Sequence, residues 1–185
     1  MQIKAGTGIS NLDHLKRVKA IAAKDILELY PADKFLIPAE GNYQNKVIMP
    51  AGCMLLREGA EWMEFKFRPG AGSITTKRLP NDSVENNVTI SLSGDSSDHA
   101  WFERKLAAAK WVLVVEDMNG TVKLIGTDSQ PLKCLSFFNS AARTWTFEFS
   151  GVTENFPYYL PGYSKGELEG DEASFSQGFD FGFES

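Results

Sequence analysis

The stretch VVEDMNGTVKLIGTD, residues 114–128, decides the fold, because two apolar runs flank an acidic turn in it. Asn-Gly between apolar segments is a strong signal for a β-hairpin, since a type I′ turn needs positive φ angles at both central residues. We therefore predict a hairpin that turns at Asn119 and Gly120. The run WVLVVED at 111–117 is typical of a strand that is covered on both faces, so the first strand of this hairpin is expected to be buried.

The acids of this turn admit two other interpretations. A calcium loop needs several oxygen ligands and a Glu at its twelfth position, and the twelfth residue counted from Asp117 is Asp128, a shorter acid. An acid–base pair of Glu116 and Asp117 would have to converge on one bond, whereas neighbouring residues of a strand point to opposite faces. The hairpin is therefore the preferred interpretation.

Strict alternation of apolar and polar residues predicts a strand in EWMEFKFRPG, residues 61–70. Met63, Phe65 and Phe67 alternate there with charged residues, which indicates one buried and one solvated face. Trp62 falls on the polar face, and we predict that it lies at an interface.

Further strands are expected along the chain. Residues 87–94 and 143–151 alternate in the same way, and 18–29 is predicted as a strand followed by a break. The polar segment 70–86 between two of these strands is predicted to project as a loop. Seven or eight short strands at this spacing predict a mainly β fold, either a β-sandwich or a rolled antiparallel sheet.

One helix interrupts the strands, in GDSSDHAWFERKLAAAK. Asp95, Ser96 and Ser97 are suitable N-cap residues, and Asp98 favours the positive end of the helix dipole. We predict a helix at about 96–110 that packs on the sheet.

The composition contains no recognisable catalytic constellation. The two cysteines, Cys53 and Cys134, lie in apolar runs and are expected to be buried free thiols. The two histidines, His14 and His99, are far apart in sequence, and neither CxxC nor HExxH occurs. The N-terminal segment has no hydrophobic h-region, so we expect no secretory signal. We expect a protein without metal, cofactor or enzymatic activity.

The net charge of −5 is concentrated in one segment. Residues 165–185 hold six acidic residues and one Lys, whereas 1–164 hold 18 basic and 18 acidic residues. A neutral body lacks the basic face of a nucleic-acid-binding module. We divide the chain into an N-terminal arm (1–15), one β-rich domain (16–164) and an acidic tail (165–185). The tail is expected to dock on its own body or on a neighbour through its phenylalanines, Phe175, Phe179, Phe181 and Phe183.

Three features occur in order along residues 60–155: the strand EFKFRPGAGS, the helix and hairpin in ERKLAAAKWVLVVEDMNGTVKLIGT, and the closing aromatic strand RTWTFEFSG. This order resembles small β-rich structural proteins of tailed bacteriophages, of the tail-tube and head–tail connector type. The resemblance implies a β-sandwich or barrel flanked by a helix, assembly into rings that are often hexameric, and no catalytic residues.

The resemblance also implies partners and a location. The expected partners are copies of the same chain, neighbouring virion proteins, and genomic DNA that passes without sequence-specific binding, with no membrane. The expected location is the virion, after assembly in the host cytoplasm. Such rings have an acidic lumen, but here the excess acid lies in the tail rather than in the body.

A second hypothesis is a β-sandwich binding or decoration module that recognises a carbohydrate, a capsid or a fibre. Trp62, Trp145, Tyr158 and Tyr159 would then form an aromatic platform. Alternation opposes this hypothesis, because it places Trp145 on the core face of its strand.

Overall fold

The computed structural model describes residues 14–29, 49, 54–94 and 96–160. These residues form a nine-stranded antiparallel sheet, a two-stranded antiparallel sheet and one α-helix. The fold is therefore mainly β with a single helix, as the sequence predicts. The elements in chain order are β1 (Leu15–Ala22), β2 (Ile26–Leu29), β3 (Met54–Leu56), β4 (Met63–Phe65), β5 (Gly72–Arg78), β6 (Val84–Ser93), α1 (Ser97–Ala107), β7 (Lys110–Asp117), β8 (Val122–Ile125), β9 (Leu132–Asn139), β10 (Thr144–Thr153) and β11 (Tyr158–Tyr159).

Strand β7 is the junction of the large sheet. One edge of β7 pairs with β1 over residues 111–117. The other edge pairs with β8 over 113–116 and with β9 at 110–111. The sheet therefore has two halves: a first half-sheet, β4-β1-β7-β8-β11, and a second half-sheet, β9-β10-β6-β5. A β-bridge between His14 and Ser73 links the start of β1 to β5, so the sheet rolls back on itself.

The main hydrophobic core lies between the two half-sheets. Each half-sheet contributes the apolar residues of one face, as the alternation of its strands requires. Phe65 is its aromatic centre, with ring centroids 5.1 Å from Phe102, 6.0 Å from Phe147 and 5.6 Å from Phe149, all edge-to-face. The buried members of this first cluster are Leu15, Val18, Ala20, Ala22, Met63, Phe65, Val88, Ile90, Leu106, Trp111, Leu113, Val115, Ile125, Leu132, Phe147 and Phe149.

A second hydrophobic cluster covers the opposite face of the first half-sheet. Val112 and Val114 of β7 point into this cluster, and the small β2–β3 sheet packs over them. Its buried members are Ile21, Ile26, Leu29, Met49, Met54, Val112, Val114, Val122, Leu124, Tyr158 and Leu160. Strand β7 is consequently buried on both faces, which confirms the interpretation of its uninterrupted apolar run.

The helix α1 lies against the core face of the second half-sheet. It begins after Ser96, whose hydroxyl accepts a hydrogen bond from the backbone N–H of His99 at 3.3 Å. Phe102 and Leu106 enter the first cluster, and Ser136 of β9 donates a hydrogen bond to Glu103 at 2.9 Å. The helix ends at Ala107, three residues earlier than predicted, because β7 already begins at Lys110.

The prediction of a projecting loop at 70–86 is wrong. Residues 72–78 form β5, and β6 begins at Val84. The sequence of β5 is polar, as in a loop, because β5 is an edge strand. One face of an edge strand and its unpaired edge are solvated, so polar residues are favoured there. The actual turn is shorter: Leu79 accepts a hydrogen bond from the backbone N–H of Asp82, which has a φ angle of 64°.

The strand predicted through Phe67 is also shorter than expected. Strand β4 ends at Phe65, and Phe67 packs against the first cluster from the connection that follows. Gly72 is needed beside it, because a Cβ atom there would lie 2.8 Å from the Phe67 ring. Among the described residues, no helix is both long and apolar enough to cross a membrane.

Candidate assembly surface

The acidic turn between β7 and β8 is held by the side chain of Asp117. Its Oδ1 accepts hydrogen bonds from the backbone N–H groups of Asn119 and Thr121, both at 2.9 Å. The backbone N–H of Gly120 donates to the carbonyl of Asp117 at 3.0 Å. The predicted hairpin is confirmed, and Asp117 acts there as an acceptor for backbone groups that would otherwise lack a partner.

The predicted type of turn is wrong. Gly120 has a φ angle of 79°, but Asn119 has a negative φ angle, so the turn is not type I′. It is a three-residue loop at 118–120, in which a type I turn is followed by a glycine in the left-handed region. The Asp117 carboxylate accepts from the backbone N–H groups of Asn119 and Thr121 and so stabilises the longer loop.

Glu116 lies on the other face of β7 and is buried. Its Oε1 lies 3.3 Å from Nζ of Lys16, and its side chain is 1% exposed. Its Oε2 has no hydrogen-bond partner among the described residues. Glu116 and Asp117 therefore point apart, as expected for neighbours in a strand.

The two histidines, His14 and His99, lie in different parts of the fold, and the buried Nδ1 of His99 has no hydrogen-bond partner among the described residues. The backbone carbonyl of His14 accepts a hydrogen bond from Met118 at 3.1 Å. His99 lies in the first turn of α1, and its imidazole packs against Gly94. Within the described ranges, no group of three or more potential metal ligands comes together. A cleft of about 220 Å³ lies between the C-terminal end of α1 and the turn before β4, and neither Asp117 nor His99 lines it.

The aromatic residues that would form a binding platform lie apart. The Trp145 ring stacks on Phe147 with centroids 6.2 Å apart, inside the first cluster. Trp62 packs against the second cluster, on the opposite face of the first half-sheet, and Tyr158 is buried in that cluster. Tyr159 is half-exposed beside Lys123. The described part of the chain thus does not bring these four residues to one surface.

The predicted interface residues of the tail, Phe175, Phe179, Phe181 and Phe183, lie outside the described residues. Cys53 and most of the predicted N-terminal arm also lie outside them. Trp62 contacts the second cluster; its predicted role in a subunit interface stays a prediction.

The described elements leave the outer face of the second half-sheet uncovered, and we call it the open face. The register aligns Leu135, Glu148, Thr89 and Ser73 across its four strands. The face is mostly Thr, Ser and Asn, but Leu135 and Phe137 of β9 are 63% and 55% exposed. Exposed apolar side chains that form a contiguous patch often mark interaction sites.

Strand β9 also has an unpaired edge. Strand β10 pairs with residues 133–139 on one side, whereas β7 pairs only with Leu132 and Lys133 on the other. Residues 134–139 therefore have no second strand partner among the described residues. Such an edge offers backbone N–H and C=O groups to an added strand.

The apolar patch is bordered by cations. Lys110 and Lys133 are direct register partners and are both exposed, and like charges in this position destabilise a pair of strands. Arg143, in the β9–β10 turn, is exposed at the other end of the strand with a φ angle of 48°. None of the three is ion-paired with a carboxylate in the described structure, so the border is positively charged.

The side of β9 opposite the open face belongs to the core. Burial and, to a smaller extent, the nearby Glu103 carboxylate together raise the pKa of the Cys134 thiol from 9.0 to about 12. Cys134 is a free thiol, as predicted. The sequence did not identify Leu135 and Phe137 as exposed. In PLKCLSFF, apolar residues occupy both the odd and the even positions, so the pattern does not show which face of the strand is solvated.

Comparison of the sequence with family models and with curated proteins finds no match to this chain.

Proposed function

We propose that this chain is a structural protein of the virion of a tailed bacteriophage, a subunit of the tail tube or of a neck or connector ring. It acts by self-assembly into a ring that forms part of a passage for DNA. The observation that carries the proposal is the open face, where Leu135 and Phe137 stay exposed beside an unpaired edge. A second copy of the chain is the partner that this surface would meet at high local concentration.

The order of elements supports the same proposal. The helix α1, the β7–β8 hairpin and the aromatic strand β10 follow one another as in the phage proteins that the sequence resembles. The neutral charge of residues 1–164 suits a wall that DNA passes without being bound. Neighbouring virion proteins would contact the two ends of the ring.

Imaging of the purified full-length chain tests the proposal. We expect closed rings of uniform symmetry, with six subunits as the first expectation, by electron microscopy and mass photometry. Assembly should persist in 0.5 M NaCl if apolar contacts dominate, because salt screens exposed charges but not apolar burial. A chain that stays monomeric at every concentration up to the millimolar range contradicts the proposal.

A further inference from the structure

We infer that the edge and outer face of β9 are the docking site for the acidic tail of a neighbouring copy of the chain. This inference rests on the proposed self-assembly and names the contact that would produce it. The occupant is the segment FDFGF, residues 179–183, which would add a strand beside residues 134–139 of β9.

The tail has the pattern that such a strand needs. Phe179, Phe181 and Phe183 alternate with Asp180 and Gly182. In an extended strand, alternate side chains share one face, so all three rings would lie on the same side. No comparable alternation of three aromatic residues with polar ones occurs elsewhere in 165–185.

The receiving surface has the matching pattern. Leu135 and Phe137 alternate on the outer face of β9 and are more than half exposed. An added strand would place its rings beside these two side chains, at the spacing of cross-strand neighbours. The unpaired backbone groups of 134–139 would supply the hydrogen bonds of a strand addition.

Charge points to the same occupant. The tail carries a net charge of −5, whereas Lys110, Lys133 and Arg143 border the patch and have no described carboxylate partner. The acids at 167–172, which precede the docked strand, would relieve the repulsion between the paired Lys110 and Lys133. Glu148, the acid beside Leu135, accepts a hydrogen bond from Asn87 at 2.7 Å and lies on the side away from the free edge.

Chain length permits the contact between copies. Leu160 is the last described residue, and 18 residues lie between it and Phe179, which span up to about 60 Å when extended. A contact in which each copy gives a tail and receives one is heterologous, and such contacts close into rings when the rotation between copies permits.

Two full-length variants test the contact. The tail variant, Phe179→Ser/Phe181→Ser/Phe183→Ser, keeps the β9 surface, and the β9 variant, Leu135→Thr/Phe137→Thr, keeps the tail. Threonine is chosen because it maintains strand propensity. A control variant, Leu27→Ser/Trp101→Ser, removes two exposed apolar side chains from other surfaces.

Sedimentation velocity gives the readout. We expect wild type and the control variant to form rings, and each docking variant alone to be monomeric. An equimolar mixture of the two docking variants should form dimers and nothing larger, because only one tail and one receiving surface remain intact in each pair.

The outcomes separate the inference from the proposed function. Rings formed by both docking variants overturn the inference and leave the proposed function standing. A mixture that stays monomeric while wild type assembles overturns the inference as well, since the tail and β9 then do not meet between copies. A wild-type chain that is always monomeric contradicts both proposals.

A second measurement does not depend on the folding of the β9 variant. A synthetic peptide with the sequence of residues 175–185 should dissociate wild-type rings, whereas a peptide of the same composition in scrambled order should not. Rings that resist an excess of the native peptide while the scrambled peptide behaves identically contradict the inference.

Discussion

The two halves of the sheet differ in what covers them. The first half-sheet has a hydrophobic cluster on each face, so β7 buries Leu113 on one side and Val114 on the other. The second half-sheet has a cluster on one face only, and on its outer face Leu135 and Phe137 are exposed. The first arrangement completes the fold within one copy, whereas the second leaves apolar area for contact with another molecule.

The two halves should differ most in how much the free energy of unfolding falls when a leucine is truncated to alanine. Leu113→Ala should reduce the free energy of unfolding by about 2–5 kcal/mol, because it opens a cavity in the core. Leu135→Ala should change it by less than about 0.5 kcal/mol in the monomer, because its side chain is solvated. Urea unfolding below the concentration of assembly measures both, and equal costs would show that the open face is covered within one copy.

Substitution of Asp117 in the β7–β8 hairpin should reduce the free energy of unfolding by an intermediate amount. Asp117→Ala removes the acceptor of two backbone N–H groups and should cost about 1–3 kcal/mol. Asp117→Asn keeps a carbonyl oxygen in that position and should cost less. Asp128→Ala, at an exposed acid outside the turn, serves as the control in the same unfolding experiment. Equal losses for the Ala and Asn variants would mean that the charge, rather than the acceptor, stabilises the turn.

Much of the first half-sheet could be predicted from the sequence, because its signals are local. The apolar run of β7 and the Asn-Gly turn identify the hairpin. The type of turn could not be predicted in this way. Asn-Gly suits both a two-residue and a three-residue loop, and the hydrogen bonds of Asp117 select the longer one.

The second half-sheet was harder to predict, because its signals depend on partners distant in sequence. Strand β5 is polar and looks like a loop until β6 pairs with it. Strand β9 has apolar residues at both odd and even positions, so its sequence does not show which face is outer. Only the packing of α1 and the core on one face identifies the other as the outer face. The candidate assembly surface therefore emerged from pairing and burial rather than from a motif.

A third prediction concerns the reactivity of Cys134 on the inner side of β9, where little effect on stability at neutral pH is expected. With a pKa of about 12 against 9.0, the Cys134 thiol should hold about 1000-fold less thiolate at pH 8 than in the unfolded chain. It should therefore react with a disulfide reagent at least about tenfold more slowly, since the greater nucleophilicity of a thiolate of higher pKa offsets only part of this loss. Because folding raises the pKa of the Cys134 thiol, this group contributes its full share to the stability of the folded state below pH 9.0. That contribution is lost as the pH rises from 9.0 towards 12. The measurement uses a Cys53→Ser variant with and without urea. Equal rates would place Cys134 on the solvated side and reverse the assignment of the two faces of β9.

Hydrogen exchange at different protein concentrations tests most directly the claim that copies of this chain associate through β9. The amides of residues 134–139 should become protected as the concentration rises through the range of assembly, while those of β7 stay equally protected throughout. Exchange in 134–139 that is independent of concentration, in a sample that forms rings, would contradict the account.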